Sequence, residues 1–163
     1  MDILYAPWRE AYFTQDKSVC VFCDIAKNAQ NDSKNKVIYR NDELFIVMNK
    51  FPYTPGHILI VPHLHEDSPE KLPQNIWIPL FEIAQDAVKI LYDYGASGIN
   101  MGMNIKKDGG AGIPAHLHLH LLPRWSGDTN FITSIANTRS YGIDFESVYE
   151  QFCDGAKKHL KKI

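Results

Sequence analysis

Residues Ala115-His116-Leu117-His118-Leu119-His120-Leu121-Leu122-Pro123-Arg124-Trp125 decide how this chain is read. Alternation of apolar and polar residues over that length predicts a half-buried β-strand. A period of two puts His116, His118 and His120 on one face, about 7 Å apart, and turns the leucines between them into a core. Imidazole is costly to bury without partners, so packing alone does not explain three in a row. Near neutral pH such a row can attack, bind metal or donate protons.

Outward from the strand, residues 106–112 form a lysine-bearing glycine loop just before the histidines, and 99–104 reads as a short strand before it. Residues 76–94 carry Ile76, Leu80, Ile83, Ala84, Ala87, Ile90 and Leu91 at helical spacing, ended by the glycines at 95 and 98. Trp77 and Phe81 on that helix read as core or interface residues. Residues 37–39, 44–48 and 57–62 read as strands, the first two separated by Asn41-Asp42. Two prolines keep Phe51-Pro52-Tyr53-Thr54-Pro55-Gly56 out of regular structure. The polar stretch 28–36 reads as a loop between strand-like runs, and a second amphipathic helix closes the chain at about 145–160. These elements predict an α+β fold: a mainly antiparallel sheet of about five strands with two helices packed on it.

A length of 163 residues suits one domain, 1–163, with 1–36 as an N-terminal segment and 140–163 holding the C-terminal helix. A charge of −2 gives no basic field for nucleic acid, and no apolar run reaches transmembrane length. The opening Met1-Asp2-Ile3-Leu4-Tyr5-Ala6-Pro7-Trp8-Arg9 lacks a signal-peptide pattern, so a cytoplasmic location is expected. Three cysteines make no disulfide framework, and Cys20-x-x-Cys23 suits metal or redox work in a reducing compartment. No thioredoxin-like βαβ pattern surrounds the pair, and a closed metal site needs two more ligands.

The string His116-Leu117-His118-Leu119-His120-Leu121-Leu122 resembles the signature of the histidine triad (HIT) family of nucleotide hydrolases and transferases. Ala6-Pro7-Trp8-Arg9, Pro55-Gly56-His57 and Trp125-x-Gly127-Asp128-Thr129-Asn130-Phe131 extend the likeness, the first and last toward its diadenosine tetraphosphate phosphorylase-like branch. The resemblance implies a HIT-like fold and cleavage of diadenosine polyphosphates, with the acceptor, phosphate or water, left open. It makes His118 the nucleophile that takes up the nucleotide, His120 the hydrogen-bond donor, and His116 a further member of the catalytic row. Substrate contacts are implied at Asn49, His57, Asn104, Ala111, Gly112 and Trp125. A structural zinc is implied at Cys20, Cys23, His65 and His116, with His63 in place of His65 if the register slips by two; no organic cofactor is implied. The family commonly pairs into dimers, for which Trp77 and Phe81 are the candidate contacts.

Two departures from the family pattern bear on the reaction. Gly112 stands where many members carry Gln or Ser, so a side-chain donor is missing and a backbone N–H would have to replace it. His120 stands where uridylyltransferase relatives carry Gln, which argues against sugar-phosphate uridylyl transfer. Two alternatives remain open: a nucleoside phosphoramidase of the HIT type, and a non-catalytic, zinc-stabilised nucleotide-binding protein.

Overall fold

The computed structural model describes residues 19–128 and 144–160. The Ala6-Pro7-Trp8-Arg9 segment, the Thr129-Asn130-Phe131 string and the outer ends of the 140–163 stretch lie outside the described residues.

Five strands form one antiparallel sheet: β1 (Val37–Arg40), β2 (Leu44–Met48), β3 (Ile58–Pro62), β4 (Gly98–Met103) and β5 (Leu119–Arg124), in the order β1-β2-β3-β5-β4. The helices are α1 (Val21–Lys27), α2 (Asp32–Asn35), α3 (Gln74–Asp93) and α4 (Phe145–His159). The expected α+β architecture is therefore present, and α3 and α4 are the two helices read from periodicity.

Three local readings are corrected. Cys20 onward is not strand-like but begins α1, because Phe22 and Ile25, three apart, bury one side of a helical turn. The polar stretch after it is not an open loop: a 3₁₀ turn (Ala29–Asn31) leads into α2. Arg40 holds α2 in place, donating to both carboxylate oxygens of Asp32 and to the carbonyls of Ile25 and Ala26. Third, β5 starts at Leu119, not Ala115. Ladder pairing stops there, at Met103 of β4 on one side and Ile60 of β3 on the other, although β3 runs on to Pro62, so residues 116–118 run as an unpaired lead-in. That lead-in is held instead by Leu117 N–H donating to the Glu66 carbonyl at 2.6 Å and His116 N–H to Ile113 at 3.4 Å.

The sheet is covered on both sides, and this controls the site. On one face α3 and α4 bury Leu80, Ile83, Ile90, Leu91 and Phe152 against Leu44, Ile46, Ile58, Ile60, Leu119 and Leu121. On the other, Phe22 and Ile25 of α1 close over Val37, Phe45, Val47, Leu59 and Val61. Cross-strand pairing places His120 beside Leu59, on this second face. Leu119 and Leu121 point to the helices, as the alternation requires.

The β2–β3 connection is drawn tight. Asn49 N–H bonds the His57 carbonyl at 2.9 Å, and Gly56 takes a positive φ of 73°. A Cβ at Gly56 would stand 2.9 Å from Tyr94 and 3.0 Å from Phe152, so only glycine turns the chain here. α3 ends in a Schellman arrangement: Ala96 N–H returns to Leu91, Gly95 N–H to Tyr92, and Gly95 has φ 94°. Asp144 caps α4 by accepting from the N–H groups of Glu146 and Ser147.

Candidate active site and metal centre

The three imidazoles share the α1 face of the sheet, but they lie in a recess, not on an open surface. His116, His118 and His120 are 1%, 5% and 7% exposed. The cover includes Phe22, whose ring stands 5.4 Å from His116 and 5.1 Å from His118, between centroids. Phe22 was not among the residues singled out from sequence; its place between Cys20 and Cys23 was the available signal.

Hydrogen bonds fix the protonation of each ring. His118 Nδ1 lies 2.8 Å from the His116 carbonyl, which can only accept, so Nδ1 carries the hydrogen. His118 Nε2 then holds the lone pair and has no partner among the described residues. His57 Nδ1 faces two donors, the Asn49 side-chain amide at 3.1 Å and the Tyr53 N–H at 3.2 Å. Its hydrogen therefore sits on Nε2, which donates to His120 Nδ1 at 2.9 Å. His120 in turn carries hydrogen on Nε2, a buried donor with no partner among the described residues. A nucleophilic nitrogen and an unspent N–H thus stand on neighbouring rings whose centroids are 4.9 Å apart.

Burial keeps these rings neutral. It lowers His118 from the ordinary imidazole value, against the opposing pull of the His116 carbonyl. It lowers His120 to about 4, helped by His118, and His57 to about 3, helped by His120 and His118. A neutral imidazole is the attacking form, so the downward shift of His118 favours its nucleophilic state. Tyr53, also not anticipated, stacks on His120 at 5.9 Å and 17° and covers this pair from outside.

Beside the row lies a compact donor set. One atom each of Cys20, Cys23, His65 and His116 falls within 4.8 Å of all the others. Cys23 Sγ is 3.1 Å from His65 Nδ1 and 3.6 Å from His116 Nδ1, and Cys20 Sγ is 3.4 Å from His116 Nδ1. His116 donates from Nε2 to the Pro62 carbonyl at 2.8 Å, which leaves Nδ1 as a lone pair aimed at the sulfurs. Burial, then the neighbouring Cys20, raises the Cys23 thiol, and a cation bound there would favour the thiolate instead. Two sulfurs and two nitrogens at these separations fit a closed tetrahedral ion. His63 stands apart from this set: its Nε2 faces the Asn41 carbonyl at 2.9 Å and its ring lies against Phe45.

The remaining anticipated residues divide. His57 and Asn49 join the site from behind, the amide of Asn49 being committed to His57 on one side and to Phe51 N–H on the other. Asn104 leaves β4 one step beyond the Met103–Leu119 pair, opposite His118. The glycine loop is folded on itself: Ala111 N–H donates to Lys106, Gly110 N–H to Lys107, and a Cβ at Gly109 would collide with the Ile105 carbonyl. Ala111 therefore offers no free N–H here, while Gly112 is exposed at the loop's end. The structure does not bring Trp125 to the imidazoles by ring contact; it meets Tyr94 edge-on at 5.7 Å, at the end of α3.

Comparison with known proteins bears on the family and the fold. A family model described as the HIT domain matches residues 30–127, more than half of the chain. An AP-4-A phosphorylase of Mycobacterium tuberculosis is 33% identical over 110 residues, covering 67% of this chain and 56% of that protein. The chain thus spans about half the length of the phosphorylase it matches. An uncharacterised HIT-like protein of Saccharolobus solfataricus is 31% identical over 147 residues, 89% of this chain and all of its own length. Among solved structures, a zinc-bound histidine triad family protein from Mycobacterium smegmatis superposes with a TM-score of 0.69, at 24% identity, covering 85% of this chain and 94% of that one.

Proposed function

This chain belongs to the HIT domain family, and on that premise we propose that it cleaves diadenosine polyphosphates through a covalent nucleotidyl-histidine on His118. The observation that carries the reading is the pairing of His118 Nε2, bare and neutral, with the unspent Nε2–H of His120 beside it. Likeness to an AP-4-A phosphorylase supports a substrate with a polyphosphate bridge and favours phosphate as acceptor.

In the first step His118 Nε2 attacks the α-phosphorus. The P–N bond forms as the bond to the bridging oxygen breaks. The ring becomes a cation, and its Nδ1–H, held by the His116 carbonyl, is where that charge is stabilised. The departing oxygen receives a hydrogen bond from His120 Nε2–H; a polyphosphate leaves as an anion, so no full proton transfer is needed. His57 keeps that hydrogen on Nε2 by donating to Nδ1. An oxygen of inorganic phosphate then attacks phosphorus from the side vacated, the P–N bond breaks, and His118 recovers its lone pair. The products are a nucleoside diphosphate and the nucleoside polyphosphate released first.

Cys20, Cys23, His65 and His116 are the residues that would hold zinc. Bound there, zinc supplies a structural cross-link between α1 and the lead-in to β5. A second copy of the chain is the partner we assign to the outer side of α3, where Ile78 and Phe81, 52% and 38% exposed, stand beside Trp77.

The test is incubation of purified protein with diadenosine tetraphosphate, with and without inorganic phosphate. ADP and ATP formed only with phosphate is the expected result. AMP and ATP in its absence would make the protein a hydrolase, and release of amine from a nucleoside phosphoramidate alone would move it to the phosphoramidases. Radiolabelled substrate should leave acid-labile nucleotide on the wild type and none on His118→Ala.

A further inference from the structure

His120 poses a question that the chemistry at His118 does not answer. Its Nε2–H is buried and has no partner among the described residues. Nδ1 is held from the β3 side by His57, and the two nitrogens of an imidazole point widely apart, so Nε2–H faces β4. The residue paired with His120 on β4 is Gly102. Gly102 is exposed, and a Cβ built on it would meet nothing within 4 Å. The donor nitrogen itself is closed to solvent, while the β4 position paired with its residue leaves open space above the edge strand.

That space has a shape. The β4–β5 register puts Gly98, Asn100 and Gly102 on the same face as Arg124, Leu122 and His120. The bulky residues of β4 turn the other way: Ile99 and Met103 pack toward the helix-side core. Asn100 is thus the one side chain rising from this stretch of β4, and its Oδ1 accepts from Arg124 Nη1 at 3.0 Å. Arg124 is braced by Asp128, which accepts from Nε at 2.5 Å and Nη2 at 3.0 Å. Three of its N–H groups are so engaged; the outer edge of the fork remains. From Gly102 to Gly98 the strand runs about 13 Å, the reach of several linked phosphates.

We propose that the half of the substrate leaving His118 is a nucleoside polyphosphate drawn across the bare face of β4, from His120 past Gly102 and Asn100 to the guanidinium of Arg124. The inference rests on the dinucleotide reading above and adds where the leaving half lies. A polyphosphate suits this floor because it is thin, rich in acceptors and needs no apolar walls. Arg124 presents a planar fork at the far end; Asp128 cancels much of its charge, so its contribution is alignment more than attraction. The device selects for leaving-group length: a short leaving group meets His120 only, a long one meets both ends.

The experiment measures binding, so it does not depend on turnover. AMP and a methylene-bridged, non-cleavable analogue of diadenosine tetraphosphate are titrated calorimetrically into wild type, Gly102→Val and Arg124→Gln. Gly102→Val should weaken the analogue about tenfold more than it weakens AMP, and Arg124→Gln about threefold more. Equal losses for both ligands, no loss for either, or a wild type that binds the analogue no more tightly than AMP would overturn the proposal. Valine suits an exposed strand. Should Gly102→Val nevertheless lose AMP binding, Asn100→Phe narrows the same path one pair further along, and the same ratio decides. Failure of the dinucleotide reading looks different: no cleavage of diadenosine tetraphosphate by wild type, whatever the binding ratios.

Discussion

His57, His120 and His118 act as a set: Asn49 and Tyr53 fix the hydrogen of His57, His57 fixes that of His120, and the His116 carbonyl fixes that of His118. Replacing His57 with leucine removes the donor to His120 Nδ1 and frees that ring to place its hydrogen on either nitrogen. Turnover of diadenosine tetraphosphate should fall about a hundredfold or more, with KM little changed, as steady-state kinetics on the purified variant would show. The same burial makes stability depend on pH. His57 and His120 titrate at about 3 and 4 in the folded chain, against about 6.5 unfolded. Between those values the unfolded chain binds more protons, so stability rises with pH. The contribution is complete above about 6.5 and is lost as pH falls through 4 toward 3. Melting temperatures between pH 7 and 4 should drop more steeply for wild type than for His120→Asn. Equal slopes would show that these rings do not govern the acid limit. The sequence showed the row of imidazoles and the likeness pointed to His57 behind it. Which nitrogen carries hydrogen was not legible, because it depends on the Asn49 amide and a carbonyl two residues away from His118.

At the level of elements, α1 and the lead-in to β5 depend on each other. α1 has seven residues and no side-chain cap, too little to persist alone. Phe22 and Ile25 dock it on the sheet, and the Cys20, Cys23, His65, His116 cluster ties its start to the histidine row. Purified protein should carry about one zinc per chain by mass spectrometry of the native form. Chelation, or Cys23→Ser, should lower the melting temperature and weaken AMP binding together, since both release the cover over His118. A chelator that changed neither would remove zinc from the architecture. The turn before β3 is a second coupling: Gly56→Ala adds a Cβ at positive φ against Tyr94, Phe152 and Pro123. It should cost about 2–3 kcal/mol in urea unfolding, with activity falling because His57 follows directly. Periodicity revealed α3 and α4 because each turns over several times against the sheet. It missed α1, whose two apolar anchors are too few to set a period.

For the whole molecule, two layers of helix on opposite faces of one sheet separate structural from chemical work. The α3–α4 layer is close-packed: a Cβ at Gly155 would come within 2.9 Å of Ile90, and Phe152 is fully buried. Phe152→Ala should lose about 3–5 kcal/mol by denaturant unfolding while the histidine face keeps its hydrogen bonds. On the outside of α3, Phe81→Glu should convert the dimer we assign into a monomer in light scattering. Wild type already monomeric at micromolar concentration would dismiss that assignment. No helix of the described residues is long and apolar enough to cross a membrane. By itself the sequence determined the sheet, its long helices, the shared face of His116, His118 and His120, and the cysteine pair, because these follow from local periodicity and side-chain chemistry. Only the tertiary structure decided that the histidines are buried, that β5 begins at Leu119, that His65 and not His63 meets the sulfurs, and that β4 lies bare beside His120. Each of those depends on which distant segment packs against which, and no window of neighbouring residues contains that information.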